Sequence, residues 1–135
     1  MEEKIFLGVD PGRSKTGLAL VDASGQIIDL HIAKTVSLRS ELQNFLKKRR
    51  IASVILGNGT NSQRVAEEIQ SVLPWVRQYF IDEAYSTEEA RKLYWKINPP
   101  KGWRRLFPLS ILVPPEPLDA YAAVIQVRRY LGFIE

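Results

Sequence analysis

Apolar and polar positions along this chain change period several times, and each change marks a new element. Ile5 to Val9 is an unbroken apolar run that ends in Asp10, and Leu18 to Val21 is a second, with proline and glycine between them. Residues 4–10, 16–22 and 27–34 are predicted as three successive strands, and Asp22-Ala23-Ser24-Gly25-Gln26 has the chemistry of a tight hairpin turn. The period then lengthens. Leu38, Leu42, Phe45 and Leu46 form the stripe of a helix that Ser37 or Ser40 could cap and that runs to about Lys48. Ile51 to Leu56 predicts a short buried strand, Gly57-Asn58-Gly59-Thr60 a turn, and Val65, Ile69 and Val72 the face of a helix from about Ser62 to Leu73. Val76 to Ile81 predicts a fifth strand, closed by Asp82-Glu83. Ser86 starts another helix, with Glu89 three residues on and acids at its positive end, and Pro99 stops it.

Residues 97–117 hold six of the eight prolines and predict a long loop without regular structure. A loop of this length in a small domain is usually functional or mobile. The last helix is expected from about Leu118 to Leu131, with Ala122, Ala123, Val124, Val127 and Leu131 available for packing.

A strand meander followed by alternating helices and strands predicts an α/β domain: a five-stranded mixed sheet with helices on both faces. Right-handed crossovers give the strand order 3-2-1-4-5, with strand 2 antiparallel and the first strand central. The carboxyl end of that central strand is the switch point where open α/β sheets bind ligands. Asp10, the Gly57–Thr60 turn and Asp82-Glu83 all close strands that would be parallel neighbours, so they are expected at one rim.

Composition narrows the chemistry. At 135 residues the chain is read as one domain, 1–135, with 45% apolar and 25% charged residues. No apolar run reaches the ~20 residues that span a bilayer, so no membrane partner is expected. The acidic start Met1-Glu2-Glu3-Lys4 lacks a signal-peptide pattern, and the absence of cysteine fits a cytoplasmic location. One histidine, His31, leaves no room for HExxH-type metal binding.

The net charge of +4 is unevenly spread. Between Arg91 and Pro115 lie six basic residues and no acid, interleaved with Tyr94, Trp95, Trp103 and Phe107. Cations beside aromatic faces suit a phosphate backbone with partly unstacked bases, although a solvated helix face with inward aromatics gives the same pattern. Lys47-Lys48-Arg49-Arg50 closes a helix, where cations complement the dipole, and needs no ligand.

Asp119, in the first turn of the last helix, adds a further acid. On its own it reads as a helix-start acid. The small residues Ala122 and Ala123 would bring this helix close to the sheet and Asp119 towards Asp10. Carboxylates gathered without histidine or cysteine make an all-oxygen site, suited to hard cations of the magnesium or manganese type.

Asp10, Gly12, Lys15 and Gly17, the Gly57–Thr60 turn, Asp82-Glu83 followed by Ser86-Thr87 and Ala90, and Leu118-Asp119-Ala120-Tyr121-Ala122-Ala123 together resemble the YqgF (RuvX) family. That family comprises nucleases of the RNase H-like superfamily similar to Holliday-junction resolvases, and the resemblance covers nearly the whole chain. It implies metal-dependent hydrolysis of phosphodiester bonds, in a ribosomal RNA precursor or in branched DNA, with Mg2+ or Mn2+ as cofactor and two ions expected. Carried over by motif, the catalytic and metal-holding acids are Asp10, Glu83 and Asp119. Alternation leaves the choice between Asp82 and Glu83 open, and the motif favours Glu83. Lys15, Asn58, Lys101, Trp103, Arg104 and Arg105 are the expected nucleic-acid contacts. The chain departs from the family in carrying Ala84 where arginine is usual, and in a long proline-rich segment. A homodimer is an open option, because resolvases that cut two strands often work as symmetric dimers.

Two other classes share parts of this pattern. Asp-x-Gly-x-x-x-Thr-Gly also occurs in the first phosphate loop of actin-like and Hsp70-like ATPases, which close ATP between two such domains. A catalytically idle nucleic-acid- or protein-binding module would keep the fold and tolerate loss of the acids.

Overall fold

Alternation of side chains across a central sheet decides the architecture. The computed structural model describes residues 3–59, 61–82 and 86–133. Its strands are β1 (Ile5–Asp10), β2 (Lys15–Asp22), β3 (Ile27–Lys34), β4 (Ser53–Gly57) and β5 (Gln78–Ile81). The helices are α1 (Leu38–Leu46), α2 (Ser62–Val72), α3 (Ser86–Ile97) and α4 (Asp119–Tyr130). The sheet order is β3-β2-β1-β4-β5. β2 runs antiparallel to β1 and β3, whereas β4 is parallel to β1 and β5 parallel to β4. This is the order expected from the meander and the right-handed crossovers.

Successive side chains of a strand point to opposite faces, so each strand feeds two cores. Leu7, Val9, Leu18, Leu20, Val54 and Leu56 pack with Leu42, Phe45, Val65 and Ile69 of α1 and α2. Phe6, Ala19, Val21 and Ile55 pack on the other face with Leu93 and Tyr94 of α3 and Ala123, Val124 and Val127 of α4. A sheet covered on both sides explains why these strands read as continuous apolar runs. Complete burial of each leucine, such as Leu7, Leu18 and Leu20, contributes about 1.5–3 kcal/mol.

Local chemistry fixes the connections. At the β2–β3 turn, Oδ1 of Asp22 accepts from the Ser24 N–H (2.9 Å), the Ser24 hydroxyl (2.6 Å) and the Gln26 N–H (2.9 Å). These bonds hold the Asp22 carboxyl below the usual range, the Ser24 hydroxyl most of all, against the opposing effect of burial. A 3-10 turn over Thr35–Ser37 precedes α1. Ser37 does not cap α1 through its side chain; its hydroxyl instead donates to Glu41 (2.6 Å), which also accepts from the Lys34 N–H (2.8 Å) and lies 2.9 Å from His31 Nε2.

The proline-rich segment forms two short 3-10 helices, Gly102–Leu106 and Leu109–Ile111. Leu106, Ile111 and Val113 stand largely exposed there. Among the described residues, no helix is long and apolar enough to cross a membrane.

Candidate functional site

α4 reaches the rim of the sheet because two strand positions lack a side chain. Gly17 of β2 pairs with Asp10 of β1 in the antiparallel register. A Cβ at Gly17 would collide with the carbonyl of Asp119 and come within 2.6 Å of the Ala120 nitrogen. Farther down, a Cβ at Gly8 would collide with the Ala123 carbonyl and lie 2.7 Å from Val127 Cγ2. The helix backbone therefore rests directly on the sheet at both points. Phe6 of β1 packs on the α4 side and Leu7 and Val9 on the other, so Asp10 belongs to the α4 face. Asp10 and the start of α4 thus meet at the carboxyl end of the central strand. Both aspartates are half-buried.

A residue that the sequence pattern did not single out joins them. Gln126 is fully buried, and its Nε2 donates to Asp10 Oδ1 at 3.3 Å. It lies seven residues beyond Asp119, two helical turns along the same stripe. That spacing was the available signal, masked because glutamine is normally a surface residue. The Gln126 Oε1 is buried and has no hydrogen-bond partner among the described residues.

The turn after Asp10 is held from three sides. Gly12 O accepts from the Thr35 hydroxyl (2.9 Å) and from Asn61 Nδ2 (3.1 Å). The Thr35 N–H donates to Ser14 O at 2.9 Å, and the buried Thr16 and Thr35 hydroxyls lie 2.9 Å apart. A Cβ at Gly12 would strike the Lys15 carbonyl, so the turn closes tightly only with glycine at that position.

The other expected site residues fall into two groups. Lys15 is exposed at the start of β2, beyond Gly17. Asn58 follows β4, exposed, and its N–H donates to Ile81 O at 2.9 Å. Asp82 follows β5, and its carbonyl accepts from Arg129 Nη1 of α4 at 3.2 Å. Glu83, with Thr60 and Ala84, lies outside the described residues. Lys101, Trp103, Arg104 and Arg105 belong instead to the segment along α3. Lys101 and Arg104 line a cleft with Tyr94, Trp95, Ile97 and Asn98, and Trp103 is 66% exposed with the Arg104 guanidinium 5.5 Å from its ring centre. The aromatics of the basic stretch divide: Tyr94 and Trp95 are buried, Trp103 and Phe107 are not.

Chemically, the rim offers carboxylate oxygens and no soft ligand. Asp10 and Asp119 stand on elements that touch, and Gln126, with an unsatisfied buried amide oxygen, bonds to Asp10; oxygen ligands of this kind suit hard divalent cations. Among the described residues, no three histidine, cysteine or acid side chains are grouped closely enough to hold a metal.

No protein-family model matches the chain, and no curated protein does. Solved structures do match. RuvC of T. thermophilus in complex with Holliday junction substrate superposes with a TM-score of 0.59 and 16% identity, over 96% of each chain. A further Thermus thermophilus RuvC structure gives 0.51 and 13% identity, over 94% of this chain and 93% of that one. With strand order β3-β2-β1-β4-β5, these neighbours establish an RNase H-like fold. A ROK family transcriptional regulator, homolog of E. coli MLC protein, aligns with 67% of this chain at a TM-score of 0.47 and 14% identity. This chain spans only 30% of that regulator's length.

Proposed function

We propose that this chain is a metal-dependent nuclease that hydrolyses phosphodiester bonds in structured nucleic acid, either a ribosomal RNA precursor or branched DNA. The observation that carries this reading is the seat of α4 on Gly17, the cross-strand partner of Asp10, which brings Asp119 to the rim that Asp10 closes. The RNase H-like fold and the Holliday junction bound by a structural neighbour support it.

Asp10, Asp119 and Glu83 would hold Mg2+ or Mn2+. Bound there, a pair of such ions supplies an acidified water and charge stabilisation at the leaving oxygen. Between Asp82 and Glu83, the motif favours Glu83 as the third acid. Gln126 holds one oxygen of Asp10 and so orients the other. The stapled turn at Gly12 fixes the backbone that leads from Asp10 to the exposed Lys15, which would meet a phosphate. No side-chain base is required, in keeping with a rim without histidine.

The test is cleavage of a labelled four-way DNA junction and of a structured RNA in manganese. Asp10→Asn should abolish cutting while leaving the unfolding transition in place. Intact substrate with the wild-type protein, despite tight binding, would instead establish the second reading, a binding module without catalysis. The exposed Trp103–Arg104 pair on a segment bordering α3 favours that alternative.

A further inference from the structure

Lys15 and Lys34 are direct cross-strand partners in the β2–β3 ladder, and both are exposed. Like charges directly opposite each other in a sheet are destabilising, so folding alone gives no reason for the pair. Their face is fixed by register. Gly17 meets α4, and Ala19, paired with Leu30, packs in the α4 core. Lys15 and Lys34, which continue the same alternation, therefore lie on the α4 side, as Asp10 does. They stand one rung beyond the Asp10–Gly17–Ile32 row, an advance of about 7 Å along the strands.

Arg13 is exposed in the turn between Asp10 and Lys15. Among the described residues, none of these three cations is in an ion pair. The neighbouring acid of α1, Glu41, is occupied by Ser37, His31 and the Lys34 backbone N–H. The charge is thus left to an outside anion, beside acids that would need a cation between themselves and a phosphate.

We propose that Arg13, Lys15 and Lys34 form a phosphate-binding platform, one rung beyond Asp10, that holds the phosphodiester backbone of the substrate flanking the cut. This rests on the nuclease reading and extends it to the β2–β3 side of the rim. The backbone phosphates could belong to DNA or to RNA, since the chemistry is the same.

The experiment is fluorescence anisotropy in EDTA, with a labelled four-way DNA junction and a labelled RNA hairpin, across a salt series. The Arg13→Gln/Lys34→Gln double variant should lower the slope of log K against log salt by about 1.4–1.8, roughly 0.7–0.9 for each phosphate that is no longer neutralised. The probe on which the slope falls identifies the nucleic acid. Lys47→Gln/Lys48→Gln, at the end of α1, should leave the slope unchanged. Lys34→Gln should also unfold at an equal or higher urea concentration, because a like-charge pair is removed. An unchanged slope in the double variant with tight wild-type binding, or an equal fall in the α1 control, overturns the platform. Failure of the wild-type protein to bind either probe overturns the nucleic-acid reading and the platform with it.

Discussion

Gln126 donates to Asp10 across 3.3 Å from a fully buried position, while its own carbonyl oxygen goes without a partner among the described residues. A buried amide satisfied on one side only is poorly explained by stability, since an unmade hydrogen bond costs about 1–3 kcal/mol. On the proposed nuclease reading, its use lies in orienting the Asp10 carboxylate. Gln126→Leu should therefore melt at the wild-type temperature or above it, because the orphaned oxygen disappears. The same variant should bind manganese roughly 10–100-fold more weakly by titration calorimetry, the usual loss when a group that orients a ligand is removed. Unaltered manganese affinity would make Gln126 a packing residue.

Gly17→Ala and Gly8→Ala separate the helix seat from the site. Each adds a methyl group against α4 backbone, and each should cost about 1–3 kcal/mol in urea unfolding. Gly17 lies under Asp119 itself, so only Gly17→Ala should also displace that acid. At a temperature where both variants remain folded, cleavage should be lost in Gly17→Ala and largely kept in Gly8→Ala.

Ions held by the rim acids should stabilise the folded chain by mass action. Manganese at a hundred times its dissociation constant should add about 2.7 kcal/mol to unfolding of the wild-type protein. Asp119→Asn should remove most of that gain, and so should EDTA. A melting temperature indifferent to manganese would leave the acids without an ion to hold.

The exposed basic segment makes a separate prediction. Arg104→Ala with Arg105→Ala should raise KM and flatten the salt dependence of binding, with kcat little changed, because Arg104 lines a cleft against α3 and Arg105 follows it in the same 3-10 helix. A fall in kcat alone would place them in the chemistry.

Asp22 supplies a pH dependence. Its carboxyl is held low in the folded state by the Ser24 hydroxyl and by the Gln26 and Ser24 N–H groups, so the unfolded chain binds its proton more readily. The resulting stability is fully present above about pH 4, the unfolded range, and is lost as pH falls through the folded value. Glu3, hydrogen-bonded to Asp22 and pushed upward by it, acts in the opposite sense and is exposed. Asp22→Ala should cost about 1–3 kcal/mol at neutral pH and less in acid, read from urea midpoints across pH.

Much of this fold was legible because both sheet faces are covered. Ile5–Val9 and Leu18–Val21 read as strands without any help from alternation, and Gly25 in the Asp22–Gln26 turn, at φ 88°, does what glycine in a hairpin turn does. Less legible was where pairing begins. Ile51 and Val76 are apolar enough to join strands, yet the ladders start at Ser53 and Gln78. The 3-10 turn before α1 depends on Glu41 reaching back to Lys34, which propensity does not encode. Of the candidate site, the position of Asp10 and Asp119 at one rim was legible in the sequence. Gly8, Gly17 and Gln126 were not, because their roles exist only once α4 lies on the sheet. The basic stretch was ambiguous for a physical reason: one helix turn buries Tyr94 and Trp95, and a few residues later the chain exposes Trp103.

The three indoles divide the molecule for spectroscopy. Trp95 is sealed in the core at 5% exposure, whereas Trp75 and Trp103 stand in water at 95% and 66%. Quenching by acrylamide will silence the outer two and leave a blue-shifted emission that reports packing around α3. With Trp75 replaced by phenylalanine, the quenchable fraction becomes a private signal from the proline-rich arm, so an occupant of that arm and a loosening of the interior can be watched in one cuvette without confusing them.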